Sequence, residues 1–423
     1  MNRRDFLQNS SAFAGLGLLG LTGCTRQKPT AAPANTTAPT LPYYDAAPPL
    51  APIRAHEDRL FRITVCTRPF RAQGPRIEVE RVGDKLIVHN YGHGGSGWSL
   101  SWGSGALAVE KALTAAGKSN PQVAVIGCGA IGLTTATLLQ RAGLKPTIYA
   151  KERFPYVRSA RATGTWTPDS RVAFASKAAP TFPAQWEQMA RTSWFMYQSY
   201  LGMPGNPIEY IDTYDLHDLP RAEARQQNLQ SSQQSNQTNE APRLDFATYG
   251  DRIADLTPRS IDLPPGAHPF PTKHAYRNTT LMFNIADYAR QLTTDYLIAG
   301  GKIETAEFHT PSDLAALPQP IIFNCTGYAA RQLWSDDSII PVRGQIGWLI
   351  PQPEVNYGLY FGGINVVSRR DGIVVQTNLK GEASGWNDDN EQPDRTEAEE
   401  GVRRLAALMN QMAPTTARQS NHV

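Results

Sequence analysis

The segment Val123-Ala-Val-Ile-Gly-Cys-Gly-Ala-Ile-Gly132 limits what this chain can fold into more than any other stretch. Its short continuous apolar run reads as a parallel strand buried on both faces. Residues 131–142 carry a helical pattern, and Gly143 stands where a helix-ending glycine belongs. Pro146-Thr-Ile-Tyr-Ala150 reads as the next strand, so the unit is a βαβ turn carrying Gly127-x-Gly129-x-x-Gly132. Gly127 permits the tight turn, Gly129 lets a pyrophosphate approach the backbone, and Gly132 lets helix and strand pack closely. Ala130 and Ile131 open the helix, whose positive end suits phosphate. A parallel-strand turn without a ligand is the alternative. An acid about 20 residues on would bind a ribose hydroxyl. Glu152 is the carboxylate at that place, and it and the following Arg153 are expected to be cofactor-binding. It favours a dinucleotide without a 2′-phosphate and does not separate FAD from NAD.

A chain of 423 residues buries a large core and has room for two or three domains. Its net charge of +3 comes from interleaved acids and bases, and the absence of a basic stripe argues against nucleic acid as a partner. The cysteines at 24, 66, 128 and 325 are too widely spaced for a Cys-x-x-Cys metal or redox pair, and no metal site is expected. Arg3-Arg4-Asp5-Phe6-Leu7 is a twin-arginine pattern, followed by a short apolar run at 12–21. A bilayer-spanning helix needs about 20 residues, so this reads as an export signal. Leu21-Thr-Gly-Cys24 reads as a lipoprotein processing site that would anchor the protein to a membrane through Cys24. Residues 26–50 are a Pro/Ala/Thr spacer, and 225–243 a Gln/Asn/Ser surface insertion.

Alternation predicts strands at 61–66, 76–80, 86–91, 357–361 and 372–376, and a buried strand before the turn at 324–327. Helices are predicted at 100–116, 184–200, 282–299 and 396–412.

Several blocks together resemble the D-amino-acid oxidase family: His89-Asn-Tyr-Gly-His-Gly-Gly-Ser-Gly-Trp-Ser, Val65-Cys-Thr-Arg-Pro-Phe-Arg71, Arg158-Ser-Ala-Arg-Ala-Thr-Gly-Thr-Trp-Thr-Pro168 and Asn324-Cys-Thr-Gly327. The family places the dinucleotide loop first and the His-Asn-Tyr-Gly block last. Here the order is reversed, so the chain looks circularly permuted. The resemblance implies an α/β fold, a Rossmann-like FAD-binding domain beside a mixed-sheet α+β substrate domain. It divides the chain into a signal (1–23), a linker (24–50), a permuted segment (51–120), the Rossmann unit (121–180), a substrate part (181–280), an FAD part (281–330), a second substrate part (331–412) and a tail (413–423).

By the same resemblance, Arg158 and Ser159 contact the pyrophosphate of FAD, and Thr326 and Gly327 its adenosine side. Gly164, Thr165 and Trp166 line the isoalloxazine, while Gly94, Gly95, Ser96, Gly97 and Ser99 bind its N1/C2=O edge. Arg68 clamps a substrate carboxylate, Tyr360 or Tyr357 assists through its hydroxyl, and the Gly95 carbonyl accepts from the substrate amine. His89 and His93 are read as structural. The implied activity is oxidative deamination of D-amino acids, with oxygen or a membrane quinone as acceptor, in the periplasm; a homodimer is an allowed assembly. A related flavin dehydrogenase or glycine/imino-acid oxidase, and a non-catalytic FAD-binding lipoprotein, are the alternatives. The permutation further requires the strand at Phe61 to lie close to the helix ending near Met412.

Overall fold

Three strands with every residue or nearly every residue buried, at 85–91, 122–126 and 321–324, form the centre of the molecule. Such strands need cover on both faces, which helices supply. The structure, a computed structural model, describes residues 50–116, 122–220, 223, 244–379 and 381–413. The twin-arginine segment, Cys24, the linker, the turn at 117–121, the tract at 225–243 and most of the tail lie outside the described residues.

Along the chain, β1 (Leu60–Arg71), β2 (Arg76–Val82) and β3 (Lys85–Tyr91) lead into helix α1 (Gly97–Ala116). Strand β4 (Gln122–Ile126), helix α2 (Ala130–Arg141) and strand β5 (Lys145–Ala150) form the expected βαβ unit. Helix α3 (Phe182–Gln198) precedes β6 (Ile208–His217), β7 (Ile261–Leu263) and β8 (His274–Phe283). Helix α4 (Ile285–Ile298) is followed by β9 (Lys302–Thr305) and β10 (Ile321–Asn324). Strands β11 (Ile339–Leu349), β12 (Tyr357–Phe361), β13 (Ile364–Arg369) and β14 (Gly372–Thr377) lead to helix α5 (Arg395–Asn410).

The strands make two mixed sheets. One has the order β2-β3-β10-β4-β5-β9, parallel except for β2. The other has the order β1-β11-β14-β13-β12-β6-β8-β7, antiparallel except for the β12–β6 pair. The α/β architecture expected from the sequence is therefore the one found. Two boundaries move for physical reasons. Residues 282–283 belong to β8, because they complete its ladder with β6. Helix α1 starts at Gly97 rather than Leu100, because the glycines before it coil continuously into its first turn.

The largest core packs α1, α2, α3 and α4 on the six-stranded sheet, with Trp102, Trp186, Tyr197 and Tyr288 fully buried in it. A second core lies between one face of the eight-stranded sheet and α5, through Val402, Leu405, Leu408 and Met409. Leu60 and Ile63 of β1 and Met412 after α5 share that core. The incoming segment is held there by polar contacts as well: the Ile53 amide lies 3.2 Å from Met409 Sδ, and Arg403 pairs with Glu57 at 2.7 Å. The strand beginning at Leu60 and the helix ending at Asn410 are thus neighbours.

A buried polar network fixes the edge of the six-stranded sheet. His89 Nε2 lies 2.9 Å from Glu80, which also accepts from Trp334 Nε1 at 3.2 Å. Arg76 donates to the Tyr91 hydroxyl at 3.0 Å, and that hydroxyl donates to Asp336 at 2.8 Å. Burial pushes His89 down to about 4, against the opposing hydrogen bond to Glu80, and burial pushes His93 down to about 3. Both rings are neutral supports. An unfolded chain takes up their protons near the ordinary value of 6.5, and the folded chain does not until far lower. Stability present above pH 6.5 is therefore lost as the pH falls toward 4, with His89 contributing roughly 2 kcal/mol of the loss at pH 5. Urea unfolding at pH 7.5 and pH 5 measures this; the His89→Gln variant should show a shallower decline, and an unchanged slope would remove His89 from the account.

Candidate functional site

A cavity of about 930 Å³ opens where the parallel strands of the six-stranded sheet end. The turns after β3, β4, β5, β9 and β10 all line it, as is usual for ligand sites in open α/β sheets. Its far wall is the eight-stranded sheet, contributing Cys66, Thr67 and Arg68 from β1, Asn365 from β13 and Gln376 from β14. The volume lies near the upper end of small-molecule sites, as a dinucleotide plus a substrate requires.

The glycine turn after β4 lies at one end of the cavity. Gly127, Gly129, Ala130 and Ile131 line the cavity at the start of α2. Gly132 does not reach it; a Cβ there would run into the Gly127 carbonyl oxygen, so its part is the close packing of helix on turn. Ser159 Oγ accepts from the Ala130 amide at 3.1 Å and fastens the 158–161 turn to the helix start. Glu152, Arg158, Ser159, Thr326 and Gly327 also line the cavity. Arg153 is a correction. Its guanidinium donates to the Ile303 carbonyl at 2.9 Å and to Thr305 Oγ1 at 3.1 Å, tying the loop to β9 instead of facing the cavity.

At the other end, Gly94, Gly95, Gly97 and Ser99 line the wall, together with Gly164 and Thr165. Gly94 has φ +56°, and a Cβ there would collide with the Arg171 carbonyl, so two backbones meet where only glycine fits. The Gly95 amide donates to the Ser170 carbonyl at 2.9 Å, and Ser99 Oγ accepts from the Thr167 amide at 2.8 Å. Ser96 and Trp166 depart from expectation. Ser96 is fully buried with its hydroxyl on the Ser170 carbonyl, 3.1 Å away. Trp166 turns into the core against Trp194, their rings 4.6 Å apart. Alternation along the chain puts its neighbours Thr165 and Thr167 at the cavity instead.

Arg68 enters from β1. Its guanidinium lies flat over Gly344, where any Cβ would displace it, and Nη1 donates to the Arg343 carbonyl at 3.1 Å. The tyrosine assignment fails for a geometric reason. Residues three apart on a strand face opposite sides, so Tyr357 and Tyr360 cannot share a site. Tyr357 is buried in the second core, its hydroxyl donating to the Ala51 carbonyl at 2.8 Å. Tyr360 sits on the cavity-side face but one strand too far out, 41 % exposed and opposite Asn365, and does not line the cavity. Asn365 and Gln376, paired in register, stand there instead. Thr163 Oγ1 donates to Gln376 Oε1 at 2.8 Å.

Sequence reasoning also missed Glu391. It accepts from Arg158 Nε at 2.6 Å and from Thr67 Oγ1 at 2.8 Å, with Arg161 at 3.6 Å. Burial works to raise this carboxyl, but those hydrogen bonds and the two arginine charges outweigh it and hold it below its ordinary range. Burial keeps the nearby Cys66 thiol protonated, against the pull of Arg68. Nothing set Glu391 apart in the sequence from Asp388 and Asp389 just before it, and Asn365 had only the weak signal of one amide in an apolar strand. No group of metal-ligating side chains occurs among the described residues.

The donor set fits FAD. Turn glycines at a helix start would hold the phosphates, and the second glycine-rich loop offers backbone to a planar ring. The position of a Cβ on Gly97 is open space, with nothing within 4 Å. The Gly97→Ala variant should therefore fold with an unchanged melting temperature yet bind FAD about tenfold more weakly, as a methyl group intrudes on the ligand rather than on the protein. Differential scanning fluorimetry of the apoprotein and flavin-fluorescence titration measure the two; unaltered affinity would place the ring elsewhere.

A family model described as FAD dependent oxidoreductase matches residues 122–422. A D-amino acid oxidase of Dugesia ryukyuensis is 31 % identical over 93 residues, 22 % of this chain and 27 % of that protein. A D-amino-acid oxidase of Streptomyces coelicolor is 26 % identical over 230 residues, 53 % of this chain and 58 % of that protein. The chain thus matches less than two thirds of the length of either relative. Among solved structures, glycine oxidase from Geobacillus kaustophilus aligns with a TM-score of 0.47 and 14 % identity, covering 70 % of this chain and 80 % of that one.

Proposed function

The chain belongs to the family of FAD-dependent oxidoreductases, and we propose that it oxidises D-amino acids to 2-oxo acids and ammonia. The observation that carries this reading is the position of Arg68. It stands in the same cavity as the dinucleotide turn Gly127–Ile131 and the loop Gly94–Gly97. A planar guanidinium takes a carboxylate by two parallel hydrogen bonds. Gly344 beneath it and the Arg343 carbonyl beside it fix its plane before substrate arrives, and such preorganisation supplies much of the rate.

FAD, when bound, accepts the hydrogen and two electrons that leave the substrate α-carbon. The protein orients. Arg68 fixes the carboxylate end. The Gly95 carbonyl, in the loop over the opposite wall, takes a hydrogen bond from the neutral amine. No side-chain base is required, which suits a cavity in which His93, beside the Gly94–Gly97 loop, is held neutral by burial. The resulting imino acid hydrolyses to the 2-oxo acid and ammonia, and oxygen or a membrane quinone takes the electrons onward.

Chain order belongs to the same reading. The family match begins at residue 122, yet Arg68 and the Gly94–Gly97 loop lie before it. Their contribution to the site, together with the neighbouring positions of β1 and α5, supports a circular permutation. The twin-arginine pattern and Cys24 support export of the folded, flavin-loaded protein and a lipid anchor on its periplasmic side. Twin-arginine export carries folded proteins, which suits a cofactor inserted beforehand.

Purified protein should be yellow, and anaerobic mixing with a D-amino acid should bleach it. A panel including glycine, imino acids and L-amino acids decides the substrate class; bleaching by those alone would overturn the D-amino acid reading. Arg68→Ala should raise KM for the amino acid roughly a hundredfold, the scale of a removed charged hydrogen-bond partner, and turnover with an unaltered KM would reject the carboxylate clamp.

A further inference from the structure

Glu391 stands between the two halves of the site. Its Oε1 accepts from Arg158 Nε at 2.6 Å and from Thr67 Oγ1 at 2.8 Å, and its Oε2 faces Arg161 Nη1 at 3.6 Å. Arg158 belongs to the turn fastened to the start of α2 by Ser159, the dinucleotide side. Thr67 is the chain neighbour of Arg68 on β1, the substrate side. Among the described strands, β1 is an edge strand of the eight-stranded sheet laddered only with β11, and a single bridge joins its Phe70 to His93. Its outer edge is met by the 158–161 turn, where Arg161 Nη1 donates to the Val65 carbonyl at 2.9 Å.

A second path leads from the Glu391 loop to the same guanidinium. Arg343 lies opposite Thr67 in the ladder. Its Nε donates to the Asn390 carbonyl at 3.0 Å and its Nη2 to the Gln392 carbonyl at 3.1 Å, gripping the backbone on both sides of Glu391. Its Nη1 pairs with Glu397 at 3.0 Å, at the start of α5. The carbonyl of this same Arg343 accepts from Arg68 Nη1. Arg68 is therefore aimed by a closed circuit: Arg158 to Glu391, Glu391 to Thr67, Arg343 to the Glu391 loop, and Arg343 to Arg68.

We infer that Glu391 is a positioning residue for substrate, acting through Arg68, and that it couples the cofactor-side turn at Arg158 to the strand that holds the substrate carboxylate. The inference rests on the reading of Arg68 as the carboxylate clamp. Its physical basis is that an edge strand has one free side, so a charged bridge across that side decides how far the strand and its arginine can shift. Removing the negative charge while keeping the shape leaves Arg158 and Arg161 in place and loosens the tie through Thr67, so that the Arg161–Val65 hydrogen bond is what remains between that turn and β1.

The test uses the full flavin-loaded protein. Glu391→Gln should raise KM for the amino acid, and the dissociation constant of the 2-oxo acid read from perturbation of the flavin spectrum, about tenfold, within the coupling found for groups sharing one network. It should leave kcat within about twofold and flavin content unchanged, because the groups that touch the ring and phosphates are intact. In an Arg68→Lys background the same substitution should change 2-oxo acid binding less than about twofold, since its route of action is gone. Thr67→Val, which removes a single hydroxyl, supplies the milder variant and should act in the same direction. Retention of the full effect in the Arg68→Lys background, an unaltered KM in both Glu391→Gln and Thr67→Val, or loss of flavin in place of substrate affinity would each overturn the assignment. Failure of the parent reading looks different, because there the unaltered protein would hold no flavin or would not be bleached by any D-amino acid.

Discussion

The site depends on one feature of strand pairing. Strand β10 lies between β3 and β4 and is parallel to both, with Asn324 in register with His89 on one side and Ile126 on the other. Three strands drawn from distant parts of the chain therefore end at one level. The glycine turn after β4, the glycine loop after β3 and the Thr326–Gly327 turn after β10 open into one cavity for that reason. Register in a sheet is set by which residues must be buried, and all of β3 and β10 are. A slip by one residue would separate the two glycine-rich backbone surfaces that share the cavity.

The second sheet supplies what backbone cannot. Its inner face brings Arg68, Gln376 and Asn365 to the cavity, while its outer face is sealed by α5. Period-two alternation decides which side chains serve the ligand and which serve the core. It explains why Tyr357 is a core residue and Asn365 a cavity residue. The charged groups near the edge of this sheet are balanced locally: Arg158 and Arg161 by Glu391, Arg343 by Glu397, and Arg369 by Asp371 at 2.6 Å. Partly buried arginines need such partners to offset the cost of leaving water. Arg68 differs, leaning on a carbonyl and a glycine surface, and that arrangement leaves its charge available to a carboxylate.

Support is spread beyond the cavity. The network of Glu80, His89, Arg76, Tyr91 and Asp336 pins β2 and β3 to the segment after β10. The aromatic cluster of Phe70, Phe174, Phe246 and Trp386 joins the end of β1 to the loop that carries Glu391, with Phe70 and Trp386 rings 5.1 Å apart. Loops that bear functional groups are held by rigid neighbours, and here the neighbours come from three separate stretches of sequence.

The sequence by itself determined the βαβ unit and the glycine turn after β4, because a run and a spacing are local; the glycine-rich loop at 94–97 and Arg68 were singled out by resemblance to a family, and the structure brings all of them to one cavity. The closeness of the strand at Phe61 to the last helix was expected from the resemblance, in which the two correspond to consecutive elements, and the structure places them in one core. Only the tertiary structure decided the faces. Arg153, Ser96 and Trp166 sit in the right segments and point away from the cavity, held by Thr305, Ser170 and Trp194. Asn365 and Glu391 reach it from stretches with little local mark. A side chain's direction depends on strand pairing and on partners hundreds of residues away, and no spacing along the chain encodes those.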